Sequence, residues 1–140
     1  MFRKKYKYGF VLSGGGAKAF AHLGAIKAFR EHGIEPDLYS GTSGGAIAAA
    51  LLADGYEPEE ILAFFTKLGF RDFTDFVFPF VGISRTTRIE EMLKKYLKAK
   101  KFEDLRVPVS ITASNFDCGS AEHFNSGELL EPLVASCCIP

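Results

Sequence analysis

Charge of one sign is what this 140-residue sequence most plainly lacks: Lys and Arg number 17, Asp and Glu number 17, and the formal net charge is zero. A nucleic-acid binder normally carries a basic excess on one face, so that class is set aside. Cysteine is scarce too. Cys118, Cys137 and Cys138 are an odd count with two adjacent, which fits neither a disulfide framework nor metal-ligand spacing. They read as small buried side chains of a protein in a reducing, cytoplasmic compartment. No apolar run approaches the ~20 residues of a transmembrane helix. The run "YGFVL" after the basic start is too short for a signal-peptide core. Repeats and low-complexity segments are absent as well.

What remains is 47% hydrophobic and 24% charged, the proportions of one soluble globular domain. The single charge run, Arg3, Lys4, Lys5 and Lys7, reads as a solvated terminus, with transient contact to an anionic membrane surface as the alternative.

The order of elements points to an α/β fold. "YGFVLS" (8–13) suits a buried strand ended by glycines. Phe20, Leu23, Ile26 and Phe29 recur at helical spacing over 19–32, with Gly33 as a C-terminal cap and Pro36 beyond. "DLYS" (37–40) reads as a second strand, and Gly44 to Ala53 as a second helix. Strand, helix, strand, helix in so short a stretch predicts βαβ units, a parallel-centred sheet and helices on both faces. Helices follow at 57–68 and 86–100, the second with Thr87 and Glu90 as a capping box. A strand is expected at 107–115, a short one at 121–124, and a last helix in "GELLEPLVASC". A domain seldom stops on a fresh helix, so the chain is expected to be truncated.

Two glycine-rich turns carry the chemistry. "GTSGG" (Gly41, Thr42, Ser43, Gly44, Gly45) fits G-x-S-x-G between a strand and a helix, where a sharp turn lifts a serine hydroxyl clear of the backbone. Its neighbouring glycines would leave room for a substrate carbonyl, and the following helix would favour developing negative charge. The alternative is a serine that merely caps the helix. "SGGGAKA" (13–19) supplies a row of backbone amides at Gly14, Gly15 and Gly16, suited to an oxyanion hole. As G-x-G-x-x-A it also matches a loose dinucleotide fingerprint, but Asp37 opens the next strand instead of ending it, which weakens that reading. Parallel neighbouring strands would bring both turns to one crevice.

These blocks, "GFVLSGGGAKAFAHLGAIKAF", "GIEPDLYSGTSGGAIAAALLADG" and "ITASNFDCGSAEHF…GELLEPLVASCCIP", resemble the patatin-like phospholipase family from about residue 8 to the end. The resemblance implies a three-layer α/β fold, residues 1–140 being an incomplete acyl hydrolase domain with a basic segment at 1–7. It implies a serine–aspartate dyad without histidine, with Ser43 as nucleophile and the amides of Gly14, Gly15 and Gly16 as oxyanion hole. Lipid or acyl esters would be the substrates, with no metal or organic cofactor and peripheral membrane contact at most; a remnant that binds lipid without turning it over is the alternative reading. Two departures stand out. Ala19 replaces the glycine that usually ends the first motif. The family's D-G-G or D-G-A aspartate, expected shortly after a segment like Ala135-Ser136…Pro140, does not occur in these residues.

Other candidates have plainer readings. His22 lies on a mostly apolar helix face, as a core or helix-packing residue. His32 sits at a helix end where its charge suits the dipole, and His123 on a strand near a turn. Asp117 falls in the wrong block to be the base. Seven of the fourteen phenylalanines crowd 64–80, as an acyl groove, a lipid-touching lid or plain core.

Overall fold

A computed structural model of the chain describes residues 6–67 and 84–138. In chain order the elements are β1 (Gly9–Leu12), a 3-10 turn (Gly16–Ala19), α1 (Phe20–Glu31), β2 (Leu38–Thr42), α2 (Gly44–Ala53), α3 (Pro58–Lys67), α4 (Ser84–Tyr96), a second 3-10 turn (Phe102–Asp104), β3 (Val109–Asn115), β4 (Ser120–Phe124) and α5 (Leu130–Cys137).

Helix α1 ends as its sequence dictates. Gly33 takes φ 73°, its N–H reaches Arg30 O at 2.9 Å, and Ile34 N–H reaches back to Phe29 O at 2.9 Å. This paired closure satisfies carbonyls that the helix end would leave open. Helix α4 begins earlier than the sequence suggests. It starts at Ser84, so Thr87 lies inside the helix and does not cap it.

The sheet runs β1-β2-β3-β4, with the first two pairings parallel and β3–β4 antiparallel. Strand β2 continues through Gly41 and Thr42, two residues past the predicted end, because those residues pair with Ile111 and Thr112 of β3. Strand alternation then sorts side chains into two faces. Phe10, Leu12, Tyr39, Gly41, Val109, Ile111 and Ala113 share one face, and every one but Phe10 is buried there.

Both α1 and α2 pack on that face: the Phe29 ring of α1 meets Phe10 edge-on at 5.0 Å, and Ala46 of α2 lies against Gly41. Leu129 and Leu133, next to and within α5, are fully buried in the same core cluster. The other face carries Val11, Leu38, Ser40, Ser110 and Thr112, none of them buried, and Val11 is 79% exposed. The α/β class and parallel-centred sheet agree with the sequence reading.

Helix α2 sits between the sheet and α3 with all ten of its residues buried. A helix that is apolar all round belongs inside. Its five alanines and two glycines keep it thin enough for neighbours to approach on every side. Among the described residues no helix is long and apolar enough to cross a membrane.

Candidate active site

Ser43 stands between the last residue of β2 and the first of α2, with φ 52° and ψ −126°. It is the one non-glycine residue with positive φ among the described residues. For a side chain with a Cβ, that conformation is strained and persists only where surrounding packing enforces it. The flanking glycines supply that packing, and their reason differs from the one the sequence suggests. A Cβ on Gly41 would lie 2.6 Å from Ala46 Cα, and one on Gly45 would lie 2.1 Å from Leu12 O. These two glycines make room for the protein's own backbone, which draws α2 down onto β1 and β2. The turn between them has no slack, and Ser43 absorbs the bend.

The first glycine turn meets Ser43 directly. A Cβ built on Gly14 would lie 3.3 Å from Ser43 Cβ. Gly15 has φ 151° and Gly16 φ 54°, and Gly44 packs against Gly16, whose carbonyl oxygen would be 3.2 Å from an added Cβ. Among the described residues, nothing accepts a hydrogen bond from the N–H of Gly14, Gly15 or Gly16. The turn is held from outside by His22, whose Nε2 lies 3.0 Å from Ser13 O. A carbonyl only accepts, so Nε2 carries the hydrogen. His22 is half-buried and anchors this loop, a role the helix-packing reading of the sequence did not specify. Ala19 has φ −59°, a conformation open to any residue, so no glycine is needed there.

From the far end of the chain, α5 reaches the same turn. The Ser43 N–H donates to Ser136 Oγ at 2.8 Å, and the Ser136 hydroxyl donates to Thr112 O at 2.6 Å. Burial of the Cys137 sulfur, with the neighbouring Cys138 adding to the effect, pushes that thiol up to about 12, against a smaller lowering by Ser43. A thiol with that value stays protonated near neutrality, so it offers Ser43 no base and is itself a poor nucleophile. In the sequence Ser136 stands out only as part of the segment Ala135-Ser136…Pro140. A lone polar residue in the apolar stretch "LVASC" is the one signal that could have marked it.

The remaining candidates lie elsewhere. Asp37 sits at the opposite end of β2 from the glycine turns, where its carboxylate accepts the N–H groups of Lys7 and Tyr8 at 2.7 and 2.8 Å. It is in no position to hold a ribose at Gly14–Gly16. His32 Nδ1 lies 2.8 Å from Ala28 O in the last turn of α1. His123 Nδ1 pairs with Thr112 Oγ1 at 3.0 Å. Asp117 is exposed in the β3–β4 turn. Cys118 and Cys138 are exposed, against the expectation of burial, and Cys137 is half-buried. Their places, in a surface turn and at the end of a surface helix, account for this.

Phe64 and Phe65 belong to α3. Phe64 stacks on Tyr96 at 4.5 Å and Phe65 meets Phe20 edge-on at 5.3 Å. The rest of the aromatic run, the basic residues Arg3, Lys4 and Lys5, and Pro140 lie outside the described residues. A small apolar cavity of about 10 Å³ is lined by Gly16, Ala19, Phe20, Leu23, Gly44, Ile47 and Phe65.

Residues 10–140 match the profile of the family described as patatin-like phospholipase. A cUMP-AMP-activated phospholipase of Escherichia coli is 36% identical over 111 residues, covering 76% of this chain and 33% of that protein. Lysophospholipase NTE1 of Mycosarcoma maydis is 31% identical over 127 residues, covering 85% of this chain and 7% of that protein. The chain therefore spans a third or less of the length of these two relatives. Among solved structures, full-length ExoU of the Pseudomonas aeruginosa type III secretion system, determined in complex with SpcU, superposes with a TM-score of 0.62. That match is 22% identical, covers 95% of this chain and 38% of ExoU, and shows a shared fold.

Proposed function

The chain belongs to the patatin-like phospholipase family, and from that premise we propose that it carries the nucleophile and oxyanion hole of a serine-dependent lipid acyl hydrolase. Ser43 Oγ attacks the ester carbonyl carbon of a (phospho)lipid while a base takes its proton. The negative charge on the carbonyl oxygen is held by the amides of Gly14, Gly15 and Gly16. The alcohol leaves with a proton, an acyl-serine remains, and water then releases the fatty acid and restores the hydroxyl.

The observation that carries this reading is the contact between the strained Ser43 and Gly14. A serine that merely capped a helix would have no need of positive φ, nor of a second glycine turn with unpaired amides beside it. The base is assigned, by the family's serine–aspartate dyad, to a D-G-G or D-G-A aspartate outside residues 1–140. No carboxylate among the described residues hydrogen-bonds to Ser43, and the Cys137 thiol cannot serve.

An alkyl fluorophosphonate, with the modified residue mapped by mass spectrometry, tests the assignment. Slow modification confined to Ser43 and abolished by Ser43→Ala is expected. Modification spread over surface serines, or thermal stabilisation by a dinucleotide with no labelling, would overturn it in favour of a binding protein.

A further inference from the structure

The Ser43 amide presents an accounting problem that the turn itself does not solve. As the residue preceding α2, Ser43 gives its carbonyl to the helix, accepting from Ala46 N–H at 2.9 Å and Ile47 N–H at 3.2 Å. Its N–H, turned away by the positive φ, finds no backbone acceptor among the described residues. A half-buried amide left so is costly. The acceptor that reaches it is the Ser136 hydroxyl, 93 residues away in the chain.

We propose that Ser136 is a positioning residue for Ser43: by taking the Ser43 N–H and giving its own hydrogen to Thr112 O, it locks the elbow in the conformation that aims the hydroxyl at Gly14–Gly16. This rests on the reading of Ser43 as nucleophile. The direction of both bonds is fixed by chemistry. An amide can only donate and a carbonyl can only accept, so the single Ser136 hydrogen points at Thr112 and a lone pair faces Ser43. Thr112 pairs with Thr42 in the parallel ladder, immediately before Ser43. The strut therefore ties the residue that bends to the strand beside it, across the opening where β2 ends. It also commits the Ser43 amide. With that N–H engaged at 2.8 Å, Ser43 is no donor to an oxyanion, and the load falls on the glycine turn.

The geometry restricts what can stand at position 136. Threonine keeps the hydroxyl, valine has the same shape without it, and alanine removes both. The four proteins, unaltered and with Ser136→Thr, Ser136→Val and Ser136→Ala, are compared by amide hydrogen exchange at Ser43 and by the kinetics of alkyl fluorophosphonate labelling. Loss of the strut should speed Ser43 exchange about tenfold in the valine and alanine variants and leave threonine near the unaltered protein. Labelling should slow by a similar factor in its maximal rate with the reagent's half-saturating concentration unchanged, again restored by threonine.

Equal behaviour of the valine and threonine variants, or Ser43 exchange indifferent to Ser136→Ala, would overturn the proposal. Should the alanine variant lose stability globally, the threonine–valine difference still decides, because those two fill the same volume. If Ser43 reacts in none of the four, the nucleophile reading falls, and the exchange data alone show whether the strut exists.

Discussion

Ser43 and Ser136 lie 93 positions apart, and the amide of one is 2.8 Å from the hydroxyl of the other. Between them run α2, α3, α4, β3 and β4, so the candidate site is assembled from distant parts of the chain. Its three parts, the turn at 13–16, the elbow at 41–45 and the end of α5, meet where the parallel strands stop.

The close approach at Gly45 sets the first expectation. A methyl there would press on Leu12 O at 2.1 Å and Ser13 O at 2.5 Å, both backbone atoms that cannot rotate away. Gly45→Ala should destabilise the chain by at least ~3 kcal/mol or prevent folding. Gly24, exposed in α1 with nothing within 4 Å of an added Cβ, is the control. Gly24→Ala should stabilise by about 0.5–1 kcal/mol, since alanine loses less chain entropy in a helix. Urea unfolding of both variants measures the contrast.

Buried Asp54 closes the C-terminal end of α2 against the segment after α4. Its carboxylate accepts Lys98 N–H at 2.7 Å and Ala99 N–H at 3.3 Å. Asp54→Ala leaves both amides without an acceptor and should lower stability by about 1–3 kcal/mol, with Asp54→Asn intermediate. A thermal melt showing no difference between aspartate and alanine would contradict this account of the residue.

The Cys137 thiol gives a signed pH dependence. An unfolded chain releases that proton near 9 and the folded one holds it to about 12. Below 9 both states are protonated and the group contributes no slope. From 9 towards 12 the unfolded state alone loses the proton, so folding stability falls as pH rises. Cys137→Ala should flatten this alkaline slope relative to the unaltered protein in unfolding curves taken across the window. Iodoacetamide at neutral pH should modify exposed Cys118 and Cys138 and leave Cys137 intact.

Turnover tests where the base lies. On the proposed reading the 140 residues hydrolyse a short-chain ester hardly at all, because a serine hydroxyl without a neighbouring base is a weak nucleophile. A chain extended through a D-G-G or D-G-A motif should be faster by ~10²–10⁴, the usual worth of general-base help. Equal turnover by the two, abolished in each by Ser43→Ala, would place the base within these residues.

Much of the fold was legible because its signals are local. The spacing of Phe20, Leu23, Ile26 and Phe29, the closing Gly33, and the boundaries of α2 all follow from neighbours within a few positions, and so does the placement of Ser43 on a turn. What escaped is tertiary. Strand β2 gains Gly41 and Thr42 only because β3 lies alongside. The glycines of the elbow exclude side chains for the sake of Leu12 O and Ala46, which no spacing rule reveals. Thr87 and Glu90 mimic a helix start inside a helix. Ser136 shows the limit most clearly, since its partners are Ser43 and Thr112 and nothing adjacent in sequence points to either.

The complete burial of α2 has a dynamic consequence for the serine that precedes it. Helix ends ordinarily fray, and fraying lets a strained residue relax into an easier conformation on fast timescales. Every residue of this helix is enclosed, beginning with Gly44 itself. Unwinding its first turn would mean prising Gly45 from the Leu12 carbonyl and Gly41 from Ala46. The strain at Ser43 thus has no local outlet, and its release waits on the opening of the core, which sets the lifetime of the bent serine equal to that of the folded domain.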